Sequence, residues 1–287
     1  MTLEPSAGQT AGPAAPFAEG RRGARRHALR RAPLGFTPLA VVALAFLTLP
    51  VIGLVLRAPW REIPHDLVQP GVLTALRLSL VCSVSAVALS CLVGVPLAWV
   101  FARVPFRGRT VARALVMLPM VMPPVVGGVA LLLAYGRSGL VGESLYRWFG
   151  ITIPFTTTAA VLAETFVAMP FLVITVEAGL RSLGQRYEDA AATLGAGRWT
   201  TFRRVTLPLV APTLGAGAAL CWARALGEFG ATITFAGNLP GSTQTMPLAV
   251  YVALQNDQGA AIALSLVMLA VSLAVLVALR GRWLGGH

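Results

Sequence analysis

A chain of 287 residues with 56% hydrophobic and only 12% charged residues departs from a soluble globule, in which about a quarter of residues are charged. Its 23 basic residues are all arginine and face 11 acidic ones, for a net charge of +12. In so apolar a chain that excess must sit in a few solvated loops, and no stretch is left for a soluble nucleic-acid-binding domain. The length accommodates about six helical spans of roughly 20 residues with their connections, and excludes a separate catalytic domain outside the bilayer.

Residues 1–35 mix Gly, Pro, Ala and Arg without apolar periodicity, which predicts a disordered basic tail ahead of a membrane domain over 36–287. The uncharged run from Phe36 to Leu56 is too long for a signal-peptide core and has no small-residue cleavage site before Trp60, so it reads as an uncleaved first span. Further spans are expected at about 72–102, 114–135, 156–180, 208–229 and 259–280, an all-α membrane protein. With six spans, seventeen arginines fall on one side, in the tail, the loops at 103–113 and 181–207 and the C-terminus. Four fall on the other. The positive-inside rule makes the richer side cytoplasmic, with both termini there. The apolar stretch Met246 to Leu254 would cover only about 14 Å as helix, so Pro240 to Gln255 is expected to be an interfacial or re-entrant segment.

The third expected span carries Pro119, Pro123 and Pro124 followed by Gly127 and Gly128. Prolines kink a helix and free its carbonyls, which inside a membrane must face protein or a watered cavity. Pro123, Pro124 and Gly127 are therefore candidates for a pathway or gate, and a packing kink fits the same residues. Arg224 and Glu228 stand four apart on one helical face, the spacing of an ion pair. A bridge that fixes the helix is preferred for them to direct contact with a transported ion. Arg77 is expected to snorkel outward, and Glu164 and Glu177 to serve in packing or gating. Cys82, Cys91 and Cys221 lie in apolar stretches and His27, His65 and His287 have no ligand spacing, so no metal site is expected.

The most informative stretch is the fourth loop, RYEDAAATLGAGRWTTFRRVTLPLVAP, from Arg186 to Pro212. Glu188 and Asp189 suit a helix N-terminus, Ala190 to Ala192 favour helix, and Gly195 or Gly197 can end it in the left-handed conformation. Trp199, Phe202 and Val205 then recur on one face of a second short helix suited to the interface, with Arg203 and Arg204 toward headgroups. Pro208 suits the first turn of the fifth span. A small, Ala-faced helix has little use as a core element, but another protein's groove can approach it closely.

The spacing Asp189-Ala190-Ala191, three residues, Gly195, nine residues, Val205, one residue, Leu207-Pro208 resembles the EAA loop of ABC-importer permeases. Asp189 stands for that motif's Glu, with Glu188 one place early, and Val205 stands for its Ile. LPMVMPPVVGG at 118–128 and ARALGEFGATITFAGNLPGSTQTMPLAVY at 223–251 are similar to the molybdate permeases of that superfamily, with sulfate permeases as near relatives. The likeness runs from about residue 70 onward. It implies a type I importer architecture in the bacterial inner membrane, a homodimer of six-helix subunits, a dimer of ATPase subunits and an extracytoplasmic oxyanion-binding protein. In such a design the loop at 181–208 is the coupling helix, and substrate is molybdate or tungstate, with sulfate or thiosulfate as the alternative. The segment from Thr232 through Asn238 to Thr245 would then offer neutral donors to a passing oxyanion, although a turn-rich outer loop against the binding protein is the preferred reading.

The chain has no Lys and no glycine-rich phosphate loop, so ATP and Mg are expected on the partner subunit, with no cofactor or catalytic residue here. A secondary transporter or channel would need no Ala-faced docking loop, and inverted halves are not evident. An intramembrane enzyme would need a nucleophile and base pair, which the positions of Ser and His do not supply.

Overall fold

The computed structural model describes residues 36–283, so the expected tail at 1–35 lies outside the described residues. The chain divides after Leu56 into two units. In the first, α1 (Phe36–Leu56) is 21 residues of uncharged, largely apolar sequence. At roughly 1.5 Å per residue it matches the hydrocarbon thickness of about 30 Å. Its Thr48 hydroxyl donates to the Leu44 carbonyl at 2.8 Å, which satisfies the group inside the helix.

The second unit comprises α2 (Ile63–Val68), α3 (Pro70–Arg103), α4 (Arg109–Val121), α5 (Pro124–Tyr135), α6 (Gly142–Phe149), α7 (Thr157–Leu183) and α8 (Arg186–Thr193). It continues with α9 (Arg198–Thr201), a π-helical turn (Phe202–Thr206), α10 (Leu207–Leu226), α11 (Gly230–Phe235), α12 (Met246–Asn256) and α13 (Gln258–Trp283). Among the described residues, five helical stretches are long and apolar enough to cross a bilayer, counting α9 to α10 as one.

The expected third span is not one kinked helix. Its halves, α4 and α5, are bent by 119°, and the break falls at Met122 and Pro123, both with ψ above 120°. Pro123 bars Met122 from helical geometry, and Pro124 has no N–H to continue the ladder. Each half, about 20 Å long, falls short of the hydrocarbon thickness.

Buried side chains of α3, α7 and α10 make the centre: Phe101, Leu172, Val176, Leu180, Val210 and Cys221 among them. The helices approach closely because of small residues: a Cβ on Gly179 of α7 would lie 2.6 Å from Thr213 Cγ2 of α10. Without a hydrophobic drive between helices in lipid, such close packing holds the bundle together. The three cysteines are all free thiols.

Polar ties decide which helix ends lie together. Arg103, the last residue of α3, donates to the Gly184 carbonyl just beyond α7 at 2.8 Å, so α3 and α7 finish at the same end of the bundle. Because α7 has 27 residues, its start lies at the far end, and the bent α4–α5 pair with its following loop must carry the chain across. Arg113 of α4 is bonded to Glu177 of α7, which also meets Arg181 at 2.9 Å. At the far end, Gly259 of α13 lies against Pro59 and Glu62, so α13 runs toward the end where α3 and α7 finish. Arg77 is exposed.

Between α11 and α13 the chain dips inward and returns. The Met246 N–H donates to Ser79 Oγ at 2.7 Å, nine residues into α3 and thus about 14 Å from its start. From there α12, 11 residues long, climbs back to α13 without crossing. The preferred reading of 232–245 as an outer loop needs correction: Thr232, Thr243 and Thr245 are buried, and only 239–241 of the segment is exposed. Thr157 at the start of α7 donates to the Ser242 carbonyl at 2.9 Å, and Thr243 Oγ1 accepts from the Leu239 N–H at 2.9 Å. These bonds fold the segment inward against α7.

Candidate functional site

The loop between α7 and α10 is built around two local devices. Gly195 has φ +81°, and the bonds Ala196 N–H to Ala191 O and Gly195 N–H to Ala192 O, both 3.0 Å, form a Schellman stop to α8. Gly197, at φ −68°, plays no such part. At the other device, Pro208 cannot donate to the Arg204 carbonyl and its ring would clash with it. The preceding turn widens, so that the Leu207 N–H reaches back to Phe202 O, a π-type bond. Val205 lies in that widened turn, and Leu207 and Pro208 open α10.

The two acidic residues of α8 have different surroundings. Asp189 is exposed. Glu188 turns inward: its carboxylate accepts from Arg103 Nε at 3.0 Å and Nη2 at 3.2 Å, a two-pronged pair. Thr206 Oγ1 of the π-turn also donates to it at 2.9 Å. Bidentate, charge-assisted bonds are the stronger kind, and the Arg103 side chain is 7% exposed. Glu188 thus straps the loop to the end of α3. The outer side of the loop presents Ala190 and Ala192, with Leu194 88% and Trp199 72% exposed. Trp199 stacks on Phe202 with centroids 5.7 Å apart. Small and apolar groups so displayed suit docking to another surface.

The other candidates gather far from this loop, where two broken helices interlock. After α10 ends at Leu226, Glu228 is 2% exposed. One oxygen pairs with Arg224 Nη1 at 2.5 Å and the other accepts the Ala231 N–H at 2.8 Å, so the residue pins α11 to the end of α10. α11 crosses α5 at close range. A Cβ on Gly230 would lie 2.7 Å from Pro124 Cβ, and one on Gly128 would lie 2.6 Å from Thr234 Cβ and 2.9 Å from the Ala231 carbonyl. Gly127 faces Phe166 of α7 instead, and Pro123 sits at the bend.

Polar atoms without partners lie in the same half. Thr232 Oγ1, Asn238 Oδ1 and Glu164 Oε2 are buried and make no hydrogen bond. Glu164 lies within electrostatic range of Glu228. Such groups are costly in a membrane interior and mark working positions by default. Thr232 belongs to α11, whereas Asn238 stands beyond its end.

Sequence reasoning missed Arg103 and Thr206 as the partners of Glu188, and Gly128 and Gly230 as the crossing point. Nothing local ties Arg103 to a residue 85 positions later. Gly128 had a signal, since it ends the LPMVMPPVVGG stretch beside the chosen Gly127.

Comparison with known proteins follows the same lines. Residues 94–282 match the family model of the binding-protein-dependent transport system inner membrane component. The molybdenum transport system permease protein ModB of Mycobacterium tuberculosis is 45% identical over 245 residues, covering 85% of this chain and 92% of that one. Its Escherichia coli counterpart is 43% identical over 210 residues, covering 73% and 92%. The sulfate transport system permease protein CysT of Escherichia coli is 37% identical over 272 residues, covering 90% and 98%. Among solved structures, a bacterial alginate ABC transporter in complex with a periplasmic protein bound to alginate pentasaccharide superposes with a TM-score of 0.70. Identity is 19%, covering 91% of this chain and 95% of that chain, which is a likeness of fold. A family model spanning most of the chain, curated relatives above 40% identity and a shared helical fold lead to one conclusion: this chain belongs to the binding-protein-dependent transport system inner membrane components.

Proposed function

We propose that the chain is the membrane-spanning permease of an ATP-driven importer and forms the route by which molybdate, and tungstate with it, enters the cell. The observation that carries this reading is the strapped, outward-facing α8 loop, in a chain 45% identical to a molybdenum permease. In this reading ATP and Mg bind to a separate ATPase dimer, which grips α8 through Ala190, Ala191 and Leu194. Closure of the ATPases then moves α8, and Glu188 passes the displacement to α3 through Arg103, a rigid-body coupling. An extracytoplasmic binding protein delivers the oxyanion, and two copies of the chain enclose the path.

Pro123, Pro124, Gly127, Arg224, Glu228 and Thr232 are assigned to the gate, with Asn238 beside it. Two broken helices that lock at glycines can separate as units, which suits a gate better than continuous helices would. Arg224 neutralises Glu228, so the pair presents little net charge to a dianion.

The arginine asymmetry supports a cytoplasmic position for both termini and for the loops at 103–113 and 181–207. The strap between Arg103 and Glu188 supports one side for the two loops. Single cysteines in a Cys-free background, probed with a membrane-impermeant thiol reagent on sealed cells, test this. Labelling is expected at residue 140 and none at residue 190; the reverse would invert the topology.

Substrate is tested by uptake of labelled molybdate into proteoliposomes holding the whole complex with its binding protein. Unlabelled tungstate is expected to compete strongly and sulfate weakly. Efficient sulfate uptake with molybdate ineffective would reassign the chain to sulfate transport, the direction in which its similarity to CysT points.

A further inference from the structure

Beside the docking loop, α3 and the segment opening with α9 leave a groove of about 390 Å³ lined by Pro96, Trp99, Val100, Arg198, Trp199 and Phe202. We infer that this groove holds an acyl chain of an anionic phospholipid, whose headgroup is bound by Arg198 with Arg203 and Arg204 beside it.

Three observations select that occupant. The first is depth: Trp99 stands four residues before Arg103, the end of α3, so it lies about 6 Å from the end of a membrane-spanning helix, at the level where Trp side chains gather. The second is chemistry. Five of the six lining residues are apolar, and the dozen or so waters that such a volume could take, at about 30 Å³ each, would find few polar partners. A hydrocarbon chain fills it without that cost.

The third is charge. At this end of the bundle Arg103, Arg113 and Arg181 are committed to Glu188 and Glu177, and Arg109 bonds the Phe101 carbonyl. Arg198, Arg203 and Arg204 make no ion pair among the described residues, and all three are exposed. An unpaired Arg198 in the lining of an apolar slot at an interface, with Arg203 and Arg204 directly after the lining residue Phe202, complements a phosphate carried on an acyl chain, the combination that draws basic segments to anionic lipid. A lipid seated there lies between α3 and the segment that follows α8, next to the strap through Glu188, and braces the loop against the span it must move.

The test uses the permease assembled with its ATPase in phosphatidylcholine vesicles that contain graded amounts of either phosphatidylglycerol or phosphatidylcholine brominated on the acyl chain. Bromine quenches tryptophan at contact. The Trp199 signal is isolated by subtracting a Trp199→Phe variant, and Trp222, away from the groove, serves as reference through Trp222→Phe. Half-quenching of Trp199 is expected at a roughly five-fold lower fraction of phosphatidylglycerol than of phosphatidylcholine, the effect of about one basic side chain at the surface. That preference should shrink in Arg198→Gln and vanish when Arg203 and Arg204 are also replaced by Gln, while Trp222 shows none throughout. Equal quenching by the two lipids, or a preference that survives the triple replacement, would overturn the site. So would a Trp199 quenched by neither, which would mean that protein, such as a second copy of the chain, covers the groove. Both leaflets carry the brominated lipid, so the result is independent of the proposed topology and substrate.

Discussion

Replacing Arg103 with glutamate is expected to cut ATP-driven uptake by at least an order of magnitude while the chain still inserts and assembles. Restoring an opposite charge in the same molecule, Arg103→Glu with Glu188→Arg, should recover a substantial part of the loss. The reason is the carboxylate of Glu188, only part-exposed and held by two Arg103 bonds. Removing one partner of a buried pair typically costs about 3–5 kcal/mol. The 20% exposure of Glu188 and its remaining bond from Thr206 place this site at or below the low end. Even about 1.4 kcal/mol is a tenfold change in the population of the strapped loop. The core of α3, α7 and α10 is untouched, so the deficit should appear as ATP hydrolysed without transport. The measurement is the ratio of substrate moved to ATP consumed in proteoliposomes, beside thermal unfolding of the complex. An unchanged ratio in Arg103→Glu, or a double reversal no better than the single one, would remove Glu188 from the coupling path.

Gly128→Val should be the most damaging single change in the membrane interior. Its Cβ would lie 2.6 Å from Thr234 Cβ and 2.9 Å from the Ala231 carbonyl. The carbonyl belongs to the backbone of a helix pinned by Glu228, so it cannot turn aside as a flexible side chain could. Overpacking of this kind costs about 1–3 kcal/mol or more, which for a chain of this size lowers the unfolding midpoint by roughly 5 °C. It also forces α5 and α11 apart, so transport should fall further than stability does. Gly71→Ala is the control, since a Cβ there meets nothing within 4 Å, and it is expected to leave both unchanged. If Gly128→Val keeps the midpoint and the uptake of the parent complex, α5 and α11 do not act as a locked pair.

The docking loop was legible because its determinants are local. Gly195 ends α8 through bonds within six residues, and Pro208 widens a turn by excluding its own N–H. The neutral outer loop expected at 232–245 failed for the opposite reason. Thr232, Thr243 and Thr245 look like loop residues by composition, but Thr232 is buried where α11 packs on α5, and Thr243 and Thr245 where Ser79 and Thr157 bond their neighbours Met246 and Ser242, all segments far away in sequence. The bend after Val121 lies between these cases. Paired prolines announce a break, yet the 119° angle follows from α5 packing onto α11 at Gly128 and Gly230, which no local rule supplies.

The sequence by itself determined that the chain is helical and lives in a bilayer, where its arginine-rich loops lie, how the docking loop starts and stops, and which family it resembles. Each rests on composition, on periodicity or on bonds between near neighbours. Tertiary structure alone decided that Glu188, rather than Asp189, straps the loop to α3, that the third expected span is bent by 119°, and that Glu228 joins α10 to a helix crossing α5. Those outcomes depend on which distant polar groups meet in a medium without water to satisfy them, and on where two backbones come close enough to admit only glycine.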